Sequence, residues 1–149
     1  MVDASERACI TDFGLARNQG ASEEATTSGG GTARWTAPEI LQGQGSVSKE
    51  ADVFSFAMVM IEASFGPLFL CGALTDRLYT SIKAFTGSAP FDLHLSITVS
   101  LAIMRGDRPS RPAHPACTHK LWELMQSCWD QEIGSRPNMS EVVRVLKSP

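Results

Sequence analysis

Gly31-Thr32-Ala33-Arg34-Trp35-Thr36-Ala37-Pro38-Glu39, standing downstream of Asp12-Phe13-Gly14, is the stretch whose reading decides the fold of this chain. Between the two lies a polar run, Asn18 to Gly31, which ends on Gly29-Gly30-Gly31 and reads as a loop. Upstream, Arg7 to Thr11 is short and partly apolar and predicts a strand that delivers Asp12 to a turn. Gly14 lets that turn take backbone angles that other residues resist. Downstream the pattern becomes helical. Ser48 is placed to cap a helix that runs to Glu62, and its apolar residues cover nearly every face, so it should be buried. Leu121, Leu124, Met125 and Cys128 recur at helical spacing with Trp122 and Trp129 beside them, behind a Thr118 cap. Asn138-x-x-Glu141 resembles a capping box, followed by Met139, Val142, Val143 and Leu146 as one apolar stripe. A proline-rich loop, Arg108 to Pro115, lies between these helices. The pattern predicts a mainly α domain with a small strand element at its N-terminus.

Composition narrows the function classes. The 149 residues are 43% hydrophobic and 19% charged, which suits one globular domain with its own core. With 13 basic against 16 acidic residues and no Lys/Arg block, nothing is provided to neutralise a nucleic-acid backbone. Cys9, Cys71, Cys117 and Cys128 are scattered, without C-x-x-C or histidines at ligand spacing. They read as reduced thiols of a cytoplasmic or nuclear protein. Phe54 to Leu74 approaches the length of a membrane span, but Glu62 and Gly66-Pro67 interrupt it, so no membrane partner is expected. Asn138-Met139-Ser140 matches a glycosylation sequon, a short pattern common by chance and here without a signal peptide ahead of it.

D-F-G followed by A-P-E, in this order around a Gly/Ser/Thr-rich loop, resembles the two ends of a protein-kinase activation segment, residues 12–39. The resemblance runs from about Ala4 to Leu146 and covers the C-terminal lobe of the family. Asp52-Val53-Phe54-Ser55-Phe56-Ala57 is similar to the family's D-V-W-S-F-G helix. Cys128-Trp129-Asp130-Gln131 leading to Ser135-Arg136-Pro137 is similar to its C-W-x-x-x-P-x-x-R-P run. Gly31-Thr32 ahead of Arg34 favours the tyrosine-kinase-like serine/threonine group, because tyrosine kinases usually carry a Pro-Val-type pair there. Two departures stand out: Phe54 and Ala57 replace Trp and Gly, and Glu132-Ile133 stands where an acidic-Pro pair is common.

The resemblance implies roles residue by residue. Asp12, with Phe13 and Gly14, corresponds to the magnesium-binding triplet that links the metal to the ATP phosphates. Thr32 corresponds to a residue lining the substrate site. Thr26, Thr27 and Ser28 occupy the stretch where an upstream kinase usually adds activating phosphate, and a plain solvated loop is the alternative for any one of them. Glu39 and Arg136 correspond to a buried ion pair, and Asp52 to an aspartate that holds the catalytic-loop backbone.

The family's glycine-rich loop, strand lysine, helix glutamate and H-R-D-x-x-x-x-N catalytic loop do not occur in these 149 residues. The three histidines, His94, His114 and His119, all follow Asp12. The sequence is therefore expected to be a kinase domain truncated before D-F-G, with the N-lobe and catalytic base absent. ATP and Mg belong to the complete kinase, and the fragment is expected to bind neither tightly. One reading is a piece of a serine/threonine kinase acting on protein hydroxyls. Another is a non-catalytic lobe that serves as a protein-binding module or scaffold, and a third is an inaccurate gene model.

Helices are expected across 48–146, interrupted by Ser64 to Ala84. In similar kinases the buried helix runs directly into a T-G-x-x-P-F turn. Here Ile61-Glu62-Ala63 and Phe85-Thr86-Gly87-Ser88-Ala89-Pro90-Phe91 would join cleanly without those 21 residues. The segment reads as a retained, translated intron or a genuine family insertion. Its apolar Leu68-Phe69-Leu70 has no core position reserved for it and should promote aggregation. Deleting Ser64–Ala84 is expected to raise solubility with the helical circular dichroism kept. A deletion variant that is less soluble or unfolded would show that the segment packs.

Overall fold

The computed structural model describes residues 5, 7, 9–11, 13, 16, 33–44, 47–64, 91, 96–113, 115 and 117–148. Within them a 3-10 turn, Ala33–Trp35, leads into α1, Pro38–Leu41. Then come α2, Lys49–Ser64, and α3, Ser96–Arg105. The chain closes with α4, His119–Cys128, a second 3-10 turn, Ile133–Ser135, and α5, Met139–Lys147. The domain is mainly helical.

The helix ends follow from local chemistry. Ser48 Oγ accepts from the Ala51 amide at 3.1 Å, and Thr118 Oγ1 accepts from the Leu121 amide at 3.2 Å. Asn138 forms a complete capping box: its side chain accepts from the Glu141 amide, and Glu141 accepts from the Asn138 amide at 3.0 Å. Caps of this kind each contribute about 1 kcal/mol by satisfying first-turn amides. Pro38 opens α1 at a position where a missing N–H costs nothing. Gly43 and Gly106, with φ of 66° and 94°, close α1 and α3 in the left-handed region, and no neighbour crowds either one. The backbone angle, not close approach, calls for glycine at both.

α2 is the centre of the packing. It lies against α4 and against both 3-10 turns, while α3 packs on α1 and on the Ala33–Trp35 turn. Phe54, Met58 and Ile61 of α2 share one core with Ile103 of α3 and Met125 of α4, all with no exposed surface. Truncating any of them to alanine would cost about 2–5 kcal/mol, the cost of lost transfer plus a cavity. Trp122 and Trp129 flank this core edge to face, with centroids 5.4 Å apart.

Several expectations are modified. Among the described residues there is no strand: Arg7, Cys9, Ile10 and Thr11 carry no regular element. A strand needs a ladder partner, and no described segment supplies one. α2 is not covered on every face, since Val59 is 49% exposed. The α5 stripe divides: Val142 is buried, whereas Met139, Val143 and Leu146 are exposed. α3 was not foreseen. α2 takes in Ser64, and the rest of the expected insertion, 65–84, lies outside the described residues. No helix among the described residues is long and apolar enough to cross a membrane.

Candidate functional site

The described part of the expected activation segment is its C-terminal end, Ala33 to Glu39, and four side-chain contacts tie it to the helices. Ser55, in the second turn of α2, donates its hydroxyl to the Trp35 carbonyl at 2.6 Å. The Trp35 indole N–H donates to Glu62 Oε2 at 3.1 Å, so the one carboxylate in the apolar half of α2 has a partner. Arg34 donates to the carbonyl of Phe91, a residue held at a φ of 59°. The fourth contact is the deepest. Arg136 Nη1 and Nη2 donate to the two carboxylate oxygens of Glu39 at 2.8 and 2.9 Å, across 97 positions of sequence. The Arg136 side chain is fully buried and that of Glu39 is 9% exposed.

Arg136 reaches further than this pair. Its Nε donates to the Asp130 carbonyl at 2.9 Å and its Nη1 also to the Glu50 carbonyl at 3.1 Å. Its guanidinium stands over the Phe54 ring, 5.2 Å from the centroid. A second arginine, Arg108, stands over the same ring at 5.0 Å. It donates to the Trp129 and Ile103 carbonyls and to the Gln131 side chain. A planar guanidinium suits such a site because it hydrogen-bonds in its plane and stacks on an aromatic face. The turn before Arg136 forms without the common proline. Asp130 Oδ1 accepts from the Glu132 amide at 2.8 Å, and Ser135 donates to the Glu132 carbonyl. A side-chain-closed turn does the work of a fixed φ.

Charge follows this geometry. Burial alone would raise the Glu39 pKa, but the Arg136 hydrogen bond, a backbone hydrogen bond and the charges of Arg136 and Arg108 outweigh it, and the carboxyl is held below its ordinary 4.5. For Arg108, burial first and the Arg136 charge second lower the pKa, while Asp130, Asp107 and Glu39 oppose the shift. Burial pushes the Cys128 thiol up to about 11, so it is inert as a nucleophile.

The structure thus brings Glu39 and Arg136 together. Asp52 is exposed in the first turn of α2, with its amide on the Ser48 carbonyl. Phe13 is 67% exposed. Asp12, Gly14, Thr26, Thr27, Ser28 and Thr32 lie outside the described residues. Among the described residues no three His, Cys, Asp or Glu gather as a metal site. Sequence reasoning missed Arg34, Ser55, Glu62 and Arg108. In the sequence, Arg108 stands only as the start of a proline-rich loop.

The model of the protein tyrosine and serine/threonine kinase family matches residues 1–146. The chain belongs to the protein kinase family. It is 33% identical to serine/threonine-protein kinase STY17 of Arabidopsis thaliana, covering 98% of this chain and 21% of that one. It is 30% identical to serine/threonine-protein kinase STY46 of the same plant, over 99% of this chain and 21% of that one. It is 32% identical to human ephrin type-A receptor 8, over 98% of this chain and 12% of that one. The chain therefore spans about a fifth or less of the length of these relatives. Its helical arrangement is that of a kinase C-lobe-like fragment, and Ala33 to Glu39 is tied to its helices.

Glu39→Ala leaves the Arg136 charge buried and unmatched, a loss expected to cost about 3–5 kcal/mol. Against a typical total of about 5–15 kcal/mol, the melting temperature should fall steeply. Because the Glu39 pKa is lowered on folding, its contribution is complete above 4.5 and is lost as pH falls through the lower folded value. Urea titrations of wild type and Glu39→Gln should therefore converge in acid. An unchanged melting temperature for Glu39→Ala, or a constant gap across pH, would contradict the pairing.

Proposed function

We propose that these residues are the C-terminal lobe of a serine/threonine protein kinase, and that the 149 residues alone do not turn over. The observation that carries the reading is the bidentate Glu39–Arg136 pair, which fixes the end of the activation segment to the last helices. The serine/threonine assignment rests on Gly31-Thr32 ahead of Arg34 and on the plant relatives. The α2 helix adds support. It is apolar on all faces, yet Asp52 and Val59 are exposed, and a helix of that kind calls for a further layer over it. In a complete kinase the catalytic loop would lie against this helix, with Asp52 holding the loop's backbone.

The complete enzyme would transfer the γ-phosphoryl group of ATP to a protein hydroxyl. Asp12 is the residue here that would hold Mg, with Phe13 and Gly14 beside it, and Thr32 would line the substrate site. The metal neutralises charge on the phosphates when bound. One carboxylate is only part of a magnesium ligand set, so the rest must come from ATP, water and other protein groups. Thr26, Thr27 and Ser28 are the proposed sites for an upstream kinase, and protein substrates the proposed partners. A cytoplasmic or nuclear setting fits the reduced cysteines.

Phosphoryl transfer depends on positioning and charge stabilisation, and these residues include neither a catalytic base nor a phosphate-anchoring lysine. A radiolabelled-ATP assay of the purified chain on a generic serine/threonine substrate should show no turnover. Turnover abolished by Asp12→Asn would overturn the proposal and show that the chain catalyses on its own.

A further inference from the structure

Between α4 and α5 runs a groove of about 420 Å³, lined by Thr118, Lys120, Leu121, Leu124, Val145 and Leu146. Leu124 is buried and Val145 half-buried, so the floor is apolar and anchored in the core. The groove opens beside the part of α5 that the core leaves uncovered. Met139, Val143 and Leu146 are 39%, 41% and 46% exposed. At spacings of four and three residues they lie on one face of the helix, next to the face that carries Val142 and Val145. A capped helix with two adjacent apolar faces, one in the core and one on a groove, has an unfilled side.

The charges around this strip are of one sign. Lys147, in the last turn of α5, borders it on the far side from the core, and Arg144 follows further round the helix; both are exposed. Lys120 closes the end of the groove, its Nζ donating to the Ser148 carbonyl. Of the carboxylates on these two helices, Glu141 caps the start of α5 on the opposite side, and Glu123 stands exposed on α4, 3.4 Å from His119. The chain as a whole carries a net charge of −3, so a cationic border around an apolar strip runs against its average. Cations do suit the end of a helix, but that preference does not account for Lys120, which stands at the start of α4, nor for the apolar strip between them.

We propose that the α4–α5 groove, with the Met139–Val143–Leu146 strip, is a docking site for an acidic amphipathic helix on a partner protein. Leucine-like residues at i, i+3, i+4 and i+7 would enter the groove, and carboxylates flanking them would face Lys120, Arg144 and Lys147. A concave site bounded by two helices favours a helix over a flat lipid surface. The clustering of cations on both borders disfavours a second copy of α5, which would set like charges against each other. This inference is independent of catalysis, because no residue in it belongs to the activation segment.

The test pans a displayed library of random peptides about 16 residues long, about four turns of helix, against the full 149-residue chain. Leu146→Asp and Val143→Asp chains serve for counter-selection; both sites are exposed, and circular dichroism checks that the variants fold. The expected result is enrichment of helical-period apolar peptides bearing Asp or Glu. Synthetic copies should lose about tenfold or more in affinity on Leu146→Asp. Binding should also weaken with Lys120→Glu and with added salt. Enrichment of basic or uncharged peptides, equal binding to the variants, or no enrichment overturns the proposal. So does sedimentation showing a dimer that Val143→Asp dissolves, which assigns the face to a second copy. Val143-dependent binding to vesicles of anionic phospholipid overturns it likewise, in favour of a membrane surface.

Discussion

A buried arginine with one carboxylate partner sets the terms for the rest of this fold. Arg136 cannot stay in the interior unless its charge and donors are met, because the desolvation of an unmatched charge exceeds what packing alone returns. Its partners come from four parts of the chain: Glu39 ahead of α2, the Glu50 carbonyl at its start, the Asp130 carbonyl after α4, and the Phe54 ring in the core. Meeting them fixes where Glu39 sits, how the post-α4 turn closes and where α2 sits relative to both. Arg108 extends the arrangement to the end of α3 through the Ile103 and Trp129 carbonyls. Phenylalanine at position 54, in place of the more usual tryptophan, still offers a ring face to both guanidinium groups. The departure is therefore tolerated by the interaction it touches.

That arrangement explains why a stretch of polar loop can end in a defined position. Ala33 to Glu39 joins the core through Ala37, Pro38 and Trp35, and its polar contacts go to residues on the helices: Ser55 and Glu62 on α2, Arg136 beyond α4. A kinase needs this property, since its chemistry consists largely of holding groups in place. The same contacts put Ala33 to Glu39 next to the central helix, while Asp52 and Val59 of α2 remain exposed.

Much of the helical framework was legible in the sequence because it is written in local chemistry. Ser48, Thr118 and the Asn138/Glu141 box each mark a helix start by a side chain that satisfies backbone amides within three residues. The Glu39–Arg136 contact was legible only through family resemblance, since no local pattern joins residues 97 positions apart. α3 was illegible for a definite reason. Leu93, Leu95, Ile97, Val99, Leu101 and Ile103 alternate with smaller or polar residues, the period of a strand rather than a helix. The helix that forms buries only Val99 and Ile103, four apart, and leaves Ile97 72% exposed. A helix satisfies its own backbone, whereas a strand here would need a partner that no described segment offers. Along α5 the sequence overstated burial, because spacing shows which residues share a face but not how much of that face the neighbouring helix covers.

The claim that one ion pair ties Ala33 to Glu39 to the last helices is tested most directly by a double-mutant cycle at Glu39 and Arg136. Unfolding free energies would be measured for Glu39→Met, Arg136→Met and the double variant. The pairing predicts strong non-additivity: each single variant strands a buried group, while the double variant removes both charges and regains most of the loss, with a coupling of about 2–3 kcal/mol. Additive losses within about 0.5 kcal/mol would contradict it, showing that the two side chains do not depend on each other.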